Sequence, residues 1–457
     1  MDAITFGTDG WRATLEEFTA PRVRAVGQAV VDHLADEGRA GDPVVVGYDA
    51  RPTSEGFAEE LCRVLCANGH DAVLPERDVP TPLVAHAIVE RGLAGGLMLT
   101  ASHNPPEYNG VKFIPADGAP ALPGVTDAIE ANLREPVALD RSEWGDVETA
   151  DLVEPHAQAV LSLVDAELDG VVAYDAMHGS GRGITDALLS RAGADVRRLH
   201  CERDEAFGGV DPEPSADHLS ELIERVREGP ATLGLANDGD ADRIGVVTPE
   251  RGYLNANLLF AALYDYLLER DSGPAIRTVS TTFLIDRVAA AHGETVHETP
   301  VGFKWVAEAM ADHEALIGGE ESGGFTIRGH VREKDGVLLA LLAAAADAEE
   351  SLDARVDRLL DEHGAVVQDK VSVDCPDDRK GPALAALEER IPDAVAGTAV
   401  EEVGTDDGFK LLLADGSWLL VRPSGTEPKL RVYAEAESEE RVAALLAEGR
   451  ELVAAVV

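Results

Sequence analysis

Three carboxylates alternate in Asp238–Gly239–Asp240–Ala241–Asp242–Arg243, between the apolar runs Thr232–Ala236 and Ile244–Val247. Acids at i, i+2 and i+4 in a tight loop repel one another unless a positive charge lies among them, and a hard divalent cation such as Mg²⁺ satisfies three oxygens well. A calcium EF-hand loop also opens Asp-x-Asp-x-Asp, but it needs Gly at its sixth position and Glu at its twelfth. Here those positions hold Arg243 and Pro249. A plain acidic turn is the alternative, and the regular alternation between apolar strands favours metal over it.

The run Thr100–Ala101–Ser102–His103–Asn104–Pro105–Pro106–Glu107–Tyr108–Asn109–Gly110–Val111–Lys112 follows an apolar segment. The Ser102 hydroxyl therefore stands at a strand's carboxyl end, where α/β proteins hold ligands. It is a candidate nucleophile, although no Gly-x-Ser-x-Gly elbow surrounds it, and His103, its sequence neighbour, is expected to be badly placed to accept its proton. A turn capped by Ser and Asn explains these residues equally well.

A third loop, Gly318–Gly319–Glu320–Glu321–Ser322–Gly323–Gly324, combines the acceptors and donor that sugar hydroxyls need. The fourth is Arg422–Pro423–Ser424–Gly425–Thr426–Glu427–Pro428–Lys429–Leu430–Arg431. Arg422 can grip a phosphate bidentately, while Ser424, Thr426 and the backbone N–H groups around Gly425 form an oxyanion nest, with Lys429 and Arg431 adding charge. The chain has seven lysines, and Lys112, Lys304 and Lys429 all fall in candidate loops. The four loops jointly describe phosphoryl transfer to or from a phosphorylated sugar.

Short apolar runs alternating with helical periodicity predict α/β units to carry these loops. Predicted strands include Val44–Gly47, Gly95–Thr100, Val171–Asp175 and Leu316–Gly318; predicted helices include Ser54–Asn68, Val153–Leu168 and the Ala-rich Gly336–Ala348, read as the last feature of a third unit. Glu135–Ala150 reads as a polar connector. From Val366 the pattern becomes strand, helix, several strands and a final helix. The expected organisation is residues 1–148, 149–250, 251–365 and 366–457.

The formal charge is −46, from 39 basic and 85 acidic residues in 457. A surface so acidic excludes general nucleic-acid binding and docking on anionic membranes, which both need a basic face. With 45% hydrophobic residues the chain can still bury a core. Few lysines and 5% aromatics suit a protein adapted to molar salt, where the Debye length falls to about 3 Å. No signal-peptide pattern opens the chain and the four cysteines form no Cys-x-x-Cys, so reduced thiols in a cytoplasmic protein are expected.

In this order and at these intervals, the four loops resemble those of the α-D-phosphohexomutases, the phosphoglucomutase and phosphomannomutase superfamily, and the match begins at Thr5–Phe6–Gly7–Thr8–Asp9–Gly10–Trp11–Arg12. The resemblance implies three similar α/β domains with mixed sheets and a smaller C-terminal α+β domain around a central cleft. It implies that Ser102 carries a phosphate and that Ser102, Asp238, Asp240 and Asp242 supply the Mg²⁺ site. It further implies Lys112 as general acid/base, Arg12, His103 and Arg243 at the reaction centre, and Glu320 and Ser322 on sugar hydroxyls. Arg422, Ser424, Gly425 and Thr426, with Arg431 nearby, correspond to the clamp on the non-reacting phosphate, and Lys304 lies in a loop that approaches substrate.

Many family members end the third loop with histidine, but here that position is Gly324. Lys112 or His103 is then left to move the proton, and Gly-Glu-Glu-Ser with Gly-Phe-Lys-Trp resembles glucose-phosphate-preferring members. The expected ligands are hexose phosphates, and the expected state is a monomer or homodimer. Arg12, Lys112, Arg243, Lys304, Arg422, Lys429 and Arg431 are expected in one cleft beneath an acidic shell. A metal-assisted sugar phosphatase and a non-enzymatic sugar-phosphate-binding protein are the rival readings.

Overall fold

The computed structural model of the chain describes residues 4–7, 10–425 and 427–457. It has four domains, each built on one sheet. In the first, the strands Val44–Tyr48, Ala72–Pro75, Gly95–Leu99 and Val147–Ala150 run parallel, while Tyr108–Pro115 and Trp11–Thr14 close one side antiparallel. The inner strands Val44–Tyr48 and Gly95–Leu99 are wholly buried, as strands covered by helices on both faces must be. The second sheet joins Asp195–Leu199, Val171–Asp175 and Leu233–Asn237 in parallel, then turns antiparallel through Ile244–Thr248 and Gly252–Leu254. The third repeats this with Val296–Thr299, Ala275–Thr278 and Ile317–Gly319 parallel and Phe325–Ile327 antiparallel. The smaller fourth domain is antiparallel throughout, with the helices Asp377–Glu388 and Glu439–Ala454.

This arrangement places all four chemical loops alike. The segments after Leu99, Asn237, Gly319 and Pro423 each connect an antiparallel pair, and in the first three domains the strand that leads in also pairs in parallel on its other edge. Each loop is thus clamped at both ends by a buried ladder.

Three elements differ from the sequence expectation. The polar stretch read as a connector contains the strand Val147–Ala150, whose exposed side chains conceal its pairing with Ala72–Pro75. Beyond the Ala-rich helix Gly336–Glu349 lies another, Leu352–His363, whose charged outer face masks a buried stripe of Leu352, Val356 and Leu359. Helix Val153–Leu163 also stops a turn earlier than predicted.

Gly336–Glu349 is buried from Gly336 to Ala346, as a helix apolar on every side should be, and packs across the second and third domains. Its N-cap is Asp335, which accepts from the N–H groups of Val337 and Leu338 through one oxygen. The other oxygen takes His156 Nε2 at 2.6 Å and His330 Nε2 at 2.7 Å. Burial raises the Asp335 carboxyl, but the His156 and His330 imidazoles outweigh it and hold it below the usual range. Direct hydrogen bonds to one oxygen make this cluster a structural joint.

Candidate active site

Ser102 is 1% exposed and adopts φ 52°, a left-handed conformation that non-glycine residues rarely hold without support. Support comes from its own N–H bonded to Thr100 Oγ1 at 2.8 Å, and above all from Arg51. The Arg51 guanidinium donates to four carbonyls of the serine loop: Ser102 at 2.8 Å, Asn104 at 2.6 Å, Pro105 at 2.7 Å and Tyr108 at 3.1 Å. Its Nε meets Asp49 Oδ2 at 3.1 Å, and both residues are fully buried. Ser54 Oγ donates to the other Asp49 oxygen. Sequence reasoning missed Arg51; the only signal was an Asp-x-Arg pair at the carboxyl end of an apolar strand.

The left-handed turn also corrects the expectation for His103. It brings His103 Nδ1 to 3.3 Å from Ser102 Oγ, so the imidazole does face the hydroxyl. The nearby Arg243 guanidinium, burial and Arg12 all push the His103 pKa well down, so the ring is neutral near pH 7.

Ser102 Oγ donates to Asp238 Oδ2 at 2.9 Å, joining the serine loop to the acidic loop. The two loops touch backbone to backbone, since a Cβ on Gly239 would stand 2.5 Å from the Ser102 carbonyl oxygen. Asp238, Asp240 and Asp242 are all 0% exposed, with one oxygen of each within 4.8 Å of the others. Lys112 Nζ lies 3.3 Å from Asp240 and 3.2 Å from Asp242. Lys334 Nζ lies 3.1 Å from Asp242, and Thr81 Oγ1 donates to Asp240 at 2.6 Å.

Burial, then Asp242 and Asp240, push the Asp238 carboxyl far above its ordinary range. Burial also raises Asp240, but Lys112, Thr81 and Lys334 outweigh it and hold that carboxyl low. Burial lowers Arg243, and the Asp242 and Asp238 carboxylates more than restore it. Among the described residues Asp240 Oδ1 and Asp242 Oδ1 are buried without hydrogen-bond partners, so the donor set fits a hard divalent cation.

Lys334 is the second residue the sequence reading did not place. Its stem occupies the space beside Gly324, where a Cβ would come within 2.4 Å of Lys334 Cδ. Lys334 thus fills the space that a side chain at position 324 would need. Arg12 reaches the same centre, donating from Nη1 to Asn104 Oδ1 at 3.1 Å.

In the third loop Glu320 is buried and accepts from the Gly302 N–H at 3.0 Å, while Ser322 is exposed at the turn. Burial raises the Glu320 carboxyl and Lys334 partly offsets this. Glu321 is held by Ser280 Oγ at 2.7 Å and by Tyr433 Oη of the fourth domain at 3.4 Å. In the fourth loop Arg422 is 7% exposed and its Nε donates to Asp407 at 2.8 Å. Ser424 is buried and its Oγ accepts from the Glu427 N–H, and Gly425 is exposed. Lys429 and Arg431 both pair with Glu427. Thr426 lies outside the described residues.

Lys304 stands in the first turn of the helix Phe303–His313 and lines a cavity of about 520 Å³ with His33, Phe113, Asp117 and Arg332. Of the basic residues expected in one cleft, Arg12, Lys112 and Arg243, joined by Lys334, surround the serine and acidic loops, and Arg422, Lys429 and Arg431 stand on or beside the fourth loop.

Four family models match the chain: phosphoglucomutase/phosphomannomutase α/β/α domain I over residues 3–138, domain II over 153–252, domain III over 255–363 and the C-terminal domain over 371–452. A relative described as a probable phosphoglucosamine mutase of Methanothermobacter thermautotrophicus is 34% identical over 443 residues, 95% of this chain and 94% of its own. A phosphoglucomutase/phosphomannomutase of Thermococcus kodakarensis is 32% identical over 457 residues, 98% of each chain. The crystal structure of a Thermus thermophilus protein assigned as a phosphomannomutase is 35% identical and superposes with a TM-score of 0.87 over 99% of both chains. With all four domains matched in order along nearly the whole chain, it belongs to the phosphoglucomutase/phosphomannomutase family of phosphohexomutases.

Proposed function

We propose that this protein interconverts hexose 1-phosphate and hexose 6-phosphate through a phosphorylated Ser102 and a bisphosphorylated sugar, with glucose phosphates preferred. The observation that carries the reading is the buried meeting of the Ser102 hydroxyl with Asp238, beside Lys112 and Lys334. In the first half-reaction a sugar hydroxyl oxygen forms a bond to phosphorus as the bond to Ser102 Oγ breaks. The hydroxyl proton leaves to a base, and the freed serine oxygen regains a proton. The second half runs in reverse on the sugar's other phosphate, returning a phosphoryl group to Ser102.

Lys112, Lys334, Arg12 and Arg243 oppose the charge on the moving group, and their fixed positions in a buried site favour transfer over reorganisation. Neutral His103 or Lys112 handles the proton. Asp238, Asp240 and Asp242, with Ser102, would hold Mg²⁺; the Asp240 and Asp242 oxygens that lack a hydrogen-bond partner among the described residues support this. When bound, the cation draws charge from the phosphoryl oxygens. Glu320 and Ser322 address sugar hydroxyls, and Arg422, Ser424, Gly425, Thr426 and Arg431 the non-reacting phosphate. On composition, the setting is a salt-rich cytoplasm. Among the described residues no helix is long and apolar enough to cross a membrane.

A second reading, preference for an amino-hexose phosphate, is favoured by the relative described as a probable phosphoglucosamine mutase. A coupled assay with glucose, mannose and glucosamine 1-phosphates, with Mg²⁺ in high salt, separates the two. Ser102→Ala should abolish every interconversion while the fold survives; full activity in that variant overturns the mechanism. Stoichiometric release of inorganic phosphate would instead mark a phosphatase.

A further inference from the structure

The turn between the strands Thr398–Gly404 and Phe409–Leu413 of the fourth domain carries Asp407, which no motif singled out. One oxygen of this carboxylate, Oδ2, accepts two hydrogen bonds. Arg422 Nε donates at 2.8 Å, and the Val301 N–H of the third domain donates at 3.1 Å. The next N–H, that of Gly302, donates to Glu320 Oε1 at 3.0 Å. Carboxylates from two domains therefore grip successive amides of one peptide segment. That segment enters the helix Phe303–His313, and Gly302 at its N-cap has φ 125°, a conformation with little intrinsic preference to hold itself in place.

Building on the mutase reading, we infer that Asp407 is a positioning residue that couples the phosphate clamp to the sugar loop. It aims the Arg422 fork by occupying Nε, which leaves the two terminal nitrogens to face an anion. Through Val301 it also sets the Gly302 amide against Glu320. A phosphate on Arg422 and a hydroxyl on Glu320 are then presented at a fixed separation, and both sugar phosphates are held at that same separation in turn. The contact acts on the part of the substrate that does not react, so it contributes equally to the ground and transition states and its loss falls on KM rather than kcat.

The test compares wild type, Asp407→Ala, Asp407→Asn and Lys410→Met with glucose 1-phosphate and Mg²⁺, alongside amide hydrogen exchange of residues 299–303. Lys410→Met is the control because Lys410 ties the same turn region to the third domain through Glu298 without touching Arg422 or Val301. For Asp407→Ala the expected rise in KM is on the order of 10- to 100-fold, the usual scale for a lost charge-assisted hydrogen bond, with kcat changed less than about threefold. Asp407→Asn, which keeps an acceptor, should fall between. Exchange at residues 299–303 should speed up in Asp407→Ala and stay near wild type in Lys410→Met. An unchanged KM with unchanged exchange overturns the inference, and so does an equal KM rise in Lys410→Met, which would reduce Asp407 to ordinary domain docking. If wild type turns over no hexose phosphate, the mutase reading fails, and the exchange comparison still decides whether Asp407 holds the Val301–Gly302 segment.

Discussion

Replacing Arg51 by Met tests whether one buried cation shapes the Ser102 loop. Arg51 is 0% exposed and donates to four carbonyls between Ser102 and Tyr108 as well as to Asp49. Methionine fills a similar volume but leaves those acceptors and a buried carboxylate unpartnered. An orphaned buried acceptor costs about 1–3 kcal/mol, and breaking a buried ion pair about 3–5 kcal/mol. Added together these would rival the roughly 5–15 kcal/mol that holds a domain folded. Opening the loop costs less than that, so the loop should give way first. The expected outcome is a loss of about 3–5 kcal/mol at the first urea transition, measured in molar KCl, with amide exchange across residues 102–108 greatly accelerated. Phosphate incorporation at Ser102, read by intact mass, should fall by at least about 100-fold, because a nucleophile displaced by an ångström loses rate on that scale. Arg51→Lys keeps a charge but not the planar fork, and should recover only part of each effect. A cost under about 1 kcal/mol with normal exchange at 102–108 would refute the assignment.

Three further outcomes follow from the structure. The apparent unfolding temperature should rise steadily between about 0.1 and 2 M KCl, since screening relieves the self-repulsion of a −46 chain; a flat response removes the salt-adapted reading. Gly324→His should lower activity rather than add a proton carrier, because even its Cβ meets Lys334 at 2.4 Å; a faster enzyme would show that Lys334 yields that space freely. Burial and the Arg277 guanidinium lower Lys410 from 10.5 to about 8, against the partial support of Glu298. The unfolded chain then binds the extra proton between those values, so this lysine makes stability rise as pH goes from about 8 to 10.5, by up to about 3 kcal/mol. The difference between wild type and Lys410→Met, followed by urea unfolding at several pH values, should grow over that window, and a constant difference contradicts the shift.

The elements flanking the loops were readable because they obey strict periodicity. Val171–Asp175 is bounded as the apolar pattern predicts, being a strand whose mostly buried side chains leave few alternatives. Val147–Ala150 was not readable, since an exposed edge strand carries its information in backbone pairing alone. The same divide runs through the site. Ser102, Asp238, Asp240, Asp242, Lys112 and Arg243 stand out by residue type and spacing within single loops, and the fold does bring them together. Arg51, Lys334 and Asp407 act on groups far away in the chain: 51 residues separate Arg51 from Ser102, and 106 separate Asp407 from Val301.

Local sequence thus picked out the candidate reactive groups, because a metal loop or a phosphate nest would draw its groups from a few consecutive residues. Tertiary structure alone decided their charge states and aim. A carboxylate rising or falling from its usual range depends on how deeply it is buried and which cation from another domain stands beside it, and Asp238 and Asp240, two residues apart, go opposite ways for that reason.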